Sequence, residues 1–493
     1  MVALIRPGAG TMFTRRKLLT TMVTATALAP FTSLDSLRAQ TVTLPSPHLA
    51  LKLARIFHAV KFSDLPPTAV TNAKMILAST LASAAAGIEI GSARIVRELA
   101  KEHAGRPEAT LWFEGTKLPI TEAARVNAMT SDAAASDDSD LRNVAHTGTA
   151  LTAVGLALGE RMQSSGPEVL NAIVVGYEAA GRFGDAMRGG RPGLHASMIV
   201  AFGATVAASK LLRLTPEQMA HAIAMTSVTM GGLLIGTDSW AREYQAGNAA
   251  LCAVNAALAA QRGFTVNDDI LEAKGGFLEV YGNKDVDIAM LTRQPGPQWD
   301  IMKFLAIKLV PGAHALHSSA EAAIQAAKQG NVDPAQVARI LISGPGKGSV
   351  TYDKKPPKDM VEAIHSLPYF VASGIADQDF SWVHVTPEKI ANPVVARLIT
   401  LVEYSSAPDP VHYEWNWGGT VTIEMKSGAH YTSTVDAPRG SGSRGIEWSD
   451  VEAKYRALMP GSGFVAKQMS VIWERICGFD ELKSITEFTR LLH

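Results

Sequence analysis

The sequence predicts a mainly α fold in which a large all-helical domain carries a smaller α+β domain. Between Ser46 and about Gln298, residues typical of helix starts and helix ends alternate with alanine-rich apolar runs. The composition changes near Trp299, after which strand-forming runs and a hairpin pattern occur. A final helical stretch follows. We therefore expect a helical domain formed by residues 46–299 and 445–493, and an α+β domain formed by residues 300–440.

The first half of the chain is predicted to be mostly helical. In "LPPTAVTNAKMILASTLASAAAG", Pro66 and Pro67 stand at a helix start and Gly87 at its end. The segment "ATLWFEGTKLPI" predicts a hairpin around a Glu-Gly turn. Thr215 as cap and Pro216 as first helical residue open a later helix. The run "SMIVAFGATVAASKLL" is apolar nearly all round, which is typical of a helix buried among other helices.

The second half mixes strands with helices. "ARILISG" predicts a buried strand, and "GTVTIEMKSGAHYTSTVD" predicts a hairpin that turns at its Ser-Gly pair. Ser318 and Glu321 have the spacing of a capping box and predict the start of a helix just before that strand. Ser449 and Glu452 predict in the same way the start of the last helical stretch.

Residues 1–39 have the pattern of an export signal. Arg15 and Arg16 precede an apolar run from Leu18 to about Leu28, and Ala39 is a plausible cleavage position. The apolar run is too short to span the ~30 Å of a bilayer core. The paired arginines indicate the twin-arginine route and a periplasmic protein; a retained membrane anchor is the alternative. No other stretch is long and apolar enough to cross a membrane, so we expect no membrane contact of the mature form.

Charge and cysteine content exclude several classes of protein. The chain carries 46 basic and 46 acidic residues, whereas a nucleic-acid-binding surface is strongly basic. Two cysteines are too few for a disulfide framework. We expect Cys252 and Cys477 to be buried thiols, and a single disulfide is the alternative in an oxidising compartment.

Two short motifs are weak evidence for a nucleotide or a metal site. Gly440, Gly442 and Gly445 match G-x-G-x-x-G, but the immediate helix and the parallel-sheet alternation of a dinucleotide site are missing. His314 and His317 are spaced to share one helical face and are possible metal ligands, yet a third ligand at clear spacing is lacking. We therefore expect neither a nucleotide nor a metal.

A more informative pattern is the recurrence of cations and imidazoles at loop-to-helix junctions. His146, His195 and Arg242 each precede an apolar helix, whose free N–H groups attract anions. Lys308 lies inside an apolar run, and Tyr369 closes "HSLPY". Together these residues predict a site for a small anionic molecule.

The chain resembles the MmgE/PrpD family, which includes 2-methylcitrate dehydratase and cis-aconitate decarboxylase. The resemblance extends from about Leu49 to the end and rests on the order of several segments: "SDDSD…HTG", "GLHASMIVAFGATVAASKLLRL", "GNAALCAVNAALAAQRGFT", "ILEAKGGFLEVYG", "IKLVPGAHALH" and "HSLPYFVA". It implies the two-domain fold, a homodimer, a small carboxylate substrate, and neither cofactor nor metal.

The resemblance also implies roles for individual residues. His146, His195, Lys308 and Tyr369 match family positions that bear catalytic side chains, and His317 matches a downstream histidine. Catalysis is expected from four of these residues together with one acid: His146, His195, Lys308, Tyr369 and Asp138. Substrate binding is expected from four further residues: Arg242, Asp137, His317 and Gln245. Asp137 or Asp138 is expected to hold His146 in one tautomer.

Three positions depart from the family pattern. Ala135 aligns with the first acid of the family's D-x-D-D-T segment, Arg242 replaces a lysine, and Gln245 replaces a histidine. Because arginine does not exchange protons near neutral pH, Arg242 is expected to clamp a carboxylate. The resulting hypothesis is an exported lyase that eliminates water or carbon dioxide by proton abstraction beside a carboxylate. An isomerase or epimerase of the same acids and a non-catalytic periplasmic binding protein are the alternatives.

Overall fold

The computed structural model describes residues 48–493, except 104, 188–192, 283–284, 345–353, 406–416 and 442–443. The predicted signal peptide and Gly442 lie outside these residues. In the described part the chain is mainly helical, with strands confined to three small sheets.

The first group of helices lies between Leu49 and Lys303. They are α1 (Leu49–Ala59), α2 (Pro67–Gly87), α3 (Gly91–Glu102), α4 (Ile120–Ala133), α5 (Thr147–Met162), α6 (Gly166–Ala186), α7 (Ser197–Leu211), α8 (Pro216–Thr229), α9 (Ala241–Gln261), α10 (Phe277–Tyr281), α11 (Ile288–Thr292) and α12 (Asp300–Lys303). The remaining helices are α13 (His314–Gln329), α14 (Met360–Ala363), α15 (Leu367–Asp377), α16 (Pro387–Ile390), α17 (Pro393–Thr400), α18 (Trp448–Leu458), α19 (Ala466–Cys477) and α20 (Thr486–Thr489).

The strands form two ribbons and one four-stranded sheet. They are β1 (Ala109–Leu111), β2 (Thr116–Leu118), β3 (Asp138–Asp140), β4 (Leu305–Ile307), β5 (Val337–Ser343), β6 (Val402–Tyr404), β7 (Gly419–Met425) and β8 (His430–Val435). β1 pairs with β2 and β3 with β4, both antiparallel. The larger sheet has the order β6-β5-β7-β8, with β5 parallel to β6 and antiparallel to β7.

Apolar side chains form two main cores. The larger core takes its residues from 49–309 and 451–492, and the smaller one from 316–435. Two small apolar clusters contain residues of the segments between the cores: one holds Ala135 and Ile364, the other Leu141, Ala306 and Trp417. The boundaries of the two domains stay a prediction.

The larger core is built from helices that approach closely through small residues. α6 and α7 cross at Gly176 and Gly203, where a Cβ added to Gly203 would lie 2.4 Å from the carbonyl oxygen of Gly176. α7 is buried on nearly every side, as the all-round apolar pattern predicts. Most of the alanines in these helices serve this packing rather than the site.

Several local expectations are confirmed. α2 begins at Pro67 and ends at Gly87, and the Thr215 hydroxyl accepts the Gln218 backbone N–H at the start of α8. The predicted hairpins are β1–β2 and β7–β8, and Gly428 takes the left-handed conformation at the second turn, with φ of 86°.

The two predicted capping boxes of the second half are wrong. α13 begins four residues before Ser318, and α18 begins one residue before Ser449. Ser318 is fully buried within α13, so neither serine stands at a helix cap. Both thiols are free, but only Cys252 is buried, so the expectation for the exposed Cys477 is also wrong.

Among the described residues, no single helix has the length and apolar composition to cross a bilayer; the pair α2 and α3, bent by 92°, passes on those two criteria alone.

Candidate active site

The ribbon of β3 and β4 brings together two segments that are far apart in the sequence. Asp138 pairs with Ile307 and Asp140 with Leu305, so the residues that flank these strands become neighbours. The backbone N–H of Lys308 donates to the carbonyl of Asp137 (3.1 Å), and the Lys308 ammonium donates to Asp137 Oδ1 (2.8 Å). Both side chains are buried, which makes this ion pair the centre of the candidate site.

His146 reaches the same carboxylate from the other side. Asp140 forms a β-bridge with Ala145, which turns the chain back. His146 then occupies the N-cap position of α5, without a capping hydrogen bond from its own side chain. Its Nδ1 lies 2.6 Å from Asp137 Oδ2 and 2.9 Å from the carbonyl oxygen of Asp138, toward which the ring N–H points. Because both neighbours are acceptors, Nδ1 carries the proton, and Nε2 is the nitrogen left for exchange.

The electrostatics of this pair favour the charged form of both groups. Burial alone would lower the pKa of His146, but the Asp137 carboxylate outweighs it and raises that pKa above its ordinary value. Burial would raise the pKa of Asp137; the charges of His146 and Lys308 instead hold it well below the usual range. The neighbouring charges therefore favour the protonated form of His146 and the ionised form of Asp137, whose carboxylate also contacts the Lys308 side chain.

Asp138 has a different contact set from the one predicted. Its carboxylate accepts the Gly148 backbone N–H (2.8 Å) and the Thr147 hydroxyl (2.9 Å), and so caps α5. Burial, followed by the nearby charge of Asp137, raises the pKa of Asp138 to about 6. The carboxylate beside His146 is that of Asp137, one of the two aspartates between which the sequence left this role open, in addition to its assignment to substrate binding. The contact of Asp138 with His146 is made by its backbone carbonyl oxygen.

We expect Asp138→Ala to act mainly on stability. Loss of the cap should lower the free energy of unfolding by about 1–2 kcal/mol, and kcat should fall far less than in a His146 variant. Chemical denaturation and steady-state kinetics measure the two effects. An Asp138→Ala protein of unchanged stability that has lost turnover would show that the carboxylate takes part in the chemistry.

A buried ion cluster holds the loop that carries His146. The Arg142 guanidinium contacts Asp140 (2.7 Å), Asp185 (2.6 Å) and Asp300 (2.9 Å), and it lies 3.6 Å above the ring of Phe304. These partners belong to β3, α6 and the start of α12. The loop between β3 and α5 is thus tied to the helical core, which fixes where His146 lies.

Arg242 lies at the start of α9 and contacts the end of α4. Its Nε donates to Asp132 Oδ2 (3.0 Å), and its Nη2 donates to the carbonyl oxygens of Asp132 (2.7 Å) and Ala133 (3.3 Å). In the part of the chain that the structure describes, Nη1 donates to no protein acceptor. A cavity of about 50 Å³ is lined by Arg242 together with Ser239, Glu243 and Met360, and the Glu243 carboxylate lies 3.9 Å from Nη2 of Arg242.

His195 is held as a neutral hydrogen-bond donor. Its backbone N–H donates to the carbonyl of Gly232 (3.1 Å), and its Nδ1 accepts the backbone N–H of Ser197 (3.2 Å). Burial, and then the charge of His146, lowers the pKa of His195 to about 4. The proton of the neutral ring is therefore on Nε2. Nearby, Gln245 donates to the carbonyl of Leu233 (3.3 Å), and its amide oxygen is buried without a hydrogen-bond partner in the described residues.

His314 and His317 lie at the first turn of α13, on the Lys308 side of the cluster. His314 Nδ1 is 2.9 Å from the Ser139 hydroxyl, which is 3.4 Å from His146 Nδ1. Burial, and then the charge of Lys308, lowers the pKa of His317 to about 3; burial, and then His317, lowers the pKa of His314 well below its usual range. Within the described residues, Nε2 of both rings is buried without a partner. Such nitrogens are groups that a bound ligand would engage.

Tyr369 does not join these residues. Its side chain is fully buried in the smaller core, and its hydroxyl donates to the carbonyl oxygen of His384. No contact in the structure links Tyr369 to His146, Lys308 or Arg242, so its predicted catalytic role lacks support from the geometry.

The carboxylates of the site do not suit a metal ion. Asp132, Asp137 and His146 offer ligand atoms within 4.8 Å of one another. However, Arg242 already contacts Asp132 and Lys308 already contacts Asp137, both at hydrogen-bond distance. A cation would have to displace these positive side chains, so the donor set fits an ion-pair cluster better than a metal site.

Sequence reasoning missed four residues of this region: Asp132, Ser139, His314 as a site residue, and Lys454. The spacing of His314 and His317 is a real signal for a shared helical face; the sequence favours active-site or core imidazoles over a metal pair but does not decide between the first two. Lys454 gave no signal, because a lone lysine in an amphipathic helix normally lies in solvent.

The fold and the cluster define a two-core, mainly helical protein with a buried cluster of paired acidic and basic side chains. The chain belongs to the MmgE/PrpD family: the MmgE/PrpD N-terminal domain matches residues 51–289 and the MmgE/PrpD C-terminal domain matches residues 311–475. It is 25% identical to human cis-aconitate decarboxylase over 82% of this chain and 86% of that protein. It is also 25% identical to cis-aconitate decarboxylase of Aspergillus terreus, over 87% and 93% of the two chains. The protein is accordingly a lyase of the dehydratase or decarboxylase type.

Proposed function

We propose that this lyase decarboxylates a small unsaturated polycarboxylic acid of the chemical class of cis-aconitate. The observation that carries the proposal is the contact of His146 with Asp137, which favours the protonated imidazole beside the Lys308 ammonium. The relatives named above are cis-aconitate decarboxylases, which supplies the substrate class.

Binding of the acid is assigned to groups that have hydrogen-bonding capacity left. Arg242 offers Nη1, and His195 offers the N–H of Nε2. The Lys308 ammonium adds positive charge near the centre of the site. Each carboxylate of the substrate would replace its water shell by these fixed donors, which are worth more in a buried site than in water.

The chemical step needs one bond broken and one proton delivered. The carbon–carbon bond to the leaving carboxylate breaks and carbon dioxide departs. The electron pair stays on the carbon skeleton, where it is delocalised toward a neighbouring unsaturated carboxylate, and the proton from His146 Nε2 completes the product. His146 then regains a proton from solvent. Its raised pKa suits a group that must donate a proton near neutral pH.

The protonation states favour decarboxylation over dehydration. Proton abstraction beside a carboxylate, the step that the sequence predicts, requires an unprotonated and reasonably strong base. His146 is held as an acid, and the low pKa values of His195 and His317 make those neutral rings weak bases. A proton donor is what the cluster supplies best.

The pH dependence of turnover should change in Asp137→Asn. A raised pKa means that the acidic form of His146 is present below that pKa and is lost as the pH rises through it, so activity should fall on the alkaline side. Removing the carboxylate lowers the pKa toward the ordinary 6.5, so this alkaline limb should move to lower pH. Profiles of kcat against pH for the two proteins measure the shift. A limb that stays in place would mean that another group supplies the proton.

The reaction itself is tested with a panel of unsaturated and hydroxylated di- and tricarboxylates, followed by proton NMR in deuterated water. Release of carbon dioxide with one deuteron incorporated into the product supports the proposal. New alkene signals without carbon dioxide would assign dehydration instead, and deuterium exchange alone would assign an isomerase. Thermal stabilisation by an acid that is never converted would indicate a binding protein.

Export and self-association belong to the proposal as well. Export by the twin-arginine route to the periplasm is supported by Arg15, Arg16 and the apolar run after them, and identification of the mature N-terminus after cell fractionation tests it.

A homodimer is expected from the family resemblance, and sedimentation velocity tests it. Large exposed apolar side chains at the end of α8, in the segment leading into α9 and in the first turn of α9 offer a surface for a second copy. They are Val228, Leu233, Leu234, Ile235, Trp240 and Tyr244.

A further inference from the structure

Asp137 follows a turn that is strained and held from several sides. Ala135 takes the left-handed conformation with φ of 47°, which is strained for a residue with a Cβ. Such a conformation persists only where the surroundings fix it. The carbonyl oxygen of Ala135 accepts the backbone N–H of Gly312 (2.9 Å), and the Ser136 hydroxyl accepts the indole N–H of Trp382 (2.7 Å).

The third support comes from Lys454, in the helix α18 near the end of the chain. Its side chain is 2% exposed, and its ammonium donates to the Ser79 hydroxyl of α2 (2.7 Å) and to the carbonyl oxygen of Ser136. In the described part of the chain it makes no direct ion pair with a carboxylate. Burying an amine against two neutral acceptors is costly, and burial lowers the pKa of Lys454 to about 7, so the position calls for a reason other than stability.

We propose that Lys454 is a positioning residue for the reaction: by holding the Ser136 carbonyl, it keeps the Asp137 carboxylate between His146 and Lys308. Ser136 is the residue directly before Asp137, so a shift of its carbonyl rotates the peptide on which Asp137 is carried. Lys454 is not expected to touch the substrate. The inference deepens the proposed function, because it rests on the role of His146 and Asp137 given above.

The sign of one pKa change separates this role from a plain charge effect. Removing a positive side chain near His146 can, through space, only raise the pKa of His146 or leave it unchanged. If Lys454 positions Asp137, its loss lets the carboxylate move away from His146, and the pKa of His146 falls. Loss of a purely structural residue would leave the pKa of His146 unchanged.

The experiment compares Lys454→Met with the wild-type protein by NMR titration of isotope-labelled histidine, with the His146 signal assigned from a His146→Gln spectrum. We expect the pKa of His146 to fall, and kcat on the acid found in the panel to drop about 10–100-fold with little change in KM. Lys454→Arg, which retains a donor, should restore both. Lys210→Met is the matched control: Lys210 also donates to backbone carbonyls, those of Phe57 (3.0 Å) and Val60 (2.8 Å), but outside the cluster.

A pKa of His146 that rises or stays constant in folded Lys454→Met would overturn the proposal. If that variant does not fold, Trp382→Phe carries the same test, since it removes the other side-chain hydrogen bond to Ser136 and should lower the same pKa. The titration needs no substrate. Its outcome is therefore independent of whether the reaction is decarboxylation, and a failure of the proposed function is visible separately in the panel.

Discussion

His146→Ala should lower kcat by about 10²–10⁴-fold, the usual contribution of a positioned acid or base. The ring has its Nδ1 proton directed at the Asp138 carbonyl and lies against Asp137, so Nε2 is the atom free to deliver a proton. Thermal unfolding should change less than in a Lys308 variant, because the His146 side chain is partly exposed and Lys308 still neutralises Asp137 when the imidazole is gone. Single-turnover kinetics and differential scanning calorimetry measure both quantities.

A second variant and a control make this result specific. His146→Gln keeps an amide donor for the Asp138 carbonyl but cannot act as a proton donor to carbon near neutral pH, and it should lose as much kcat as the alanine variant. The matched control is His103, an exposed histidine just after α3 whose Nδ1–H donates to the carbonyl oxygen of Leu99 in that helix, and His103→Ala should be fully active. Full turnover in either His146 variant would exclude His146 as the proton donor.

Lys308→Met should be the most damaging single change to stability in the site. It leaves the buried Asp137 carboxylate with His146 as its remaining cationic contact, and breaking one side of a buried ion pair typically costs about 3–5 kcal/mol. Turnover should fall as well, since the ammonium no longer stabilises negative charge in the site. Denaturant unfolding and kinetics on the same preparation give the two numbers.

The double variant Asp137→Asn/Lys308→Met separates the effect of the ion pair on stability from its effect on turnover. It removes both charges, so it should recover much of the lost stability while remaining inactive. Lys303→Met is the matched control from the same segment: Lys303 is exposed, its ammonium lies 5.0 Å from the Phe304 ring, and its loss should cost about 1 kcal/mol or less. If Lys308→Met proved as stable as the wild type, the buried pair would be unimportant for folding.

The local signals in the sequence predicted the fold better than the site. Proline and glycine at the ends of α2, threonine at the cap of α8 and glycine in the β7–β8 turn act through their own backbone, so a single sequence suffices to identify them. The capping boxes at Ser318 and Ser449 failed for the complementary reason. The S-x-x-E spacing occurs inside helices as well, and packing decides where the helix begins.

The candidate site was predicted in its composition but not in its connections. His146, Lys308 and the acidic segment were identified, and the resemblance placed them in one site. Which aspartate meets His146 was left open, because Asp137 and Asp138 are adjacent and point in opposite directions from the chain. The structure directs Asp137 to His146 and Lys308, and Asp138 to the start of α5.

By itself, the sequence determined the helical class, the positions of most turns, the family and the residue types available for chemistry, because these depend on neighbours along the chain. Only the tertiary structure decided which charges neutralise one another. Asp137 and Lys308 are 171 positions apart, and Lys454 and Ser136 are 318 apart. Contacts over such separations are created by the packing of helices and by the β3–β4 ribbon. Burial then makes each contact strong, since charges removed from water must find partners or shift their pKa values.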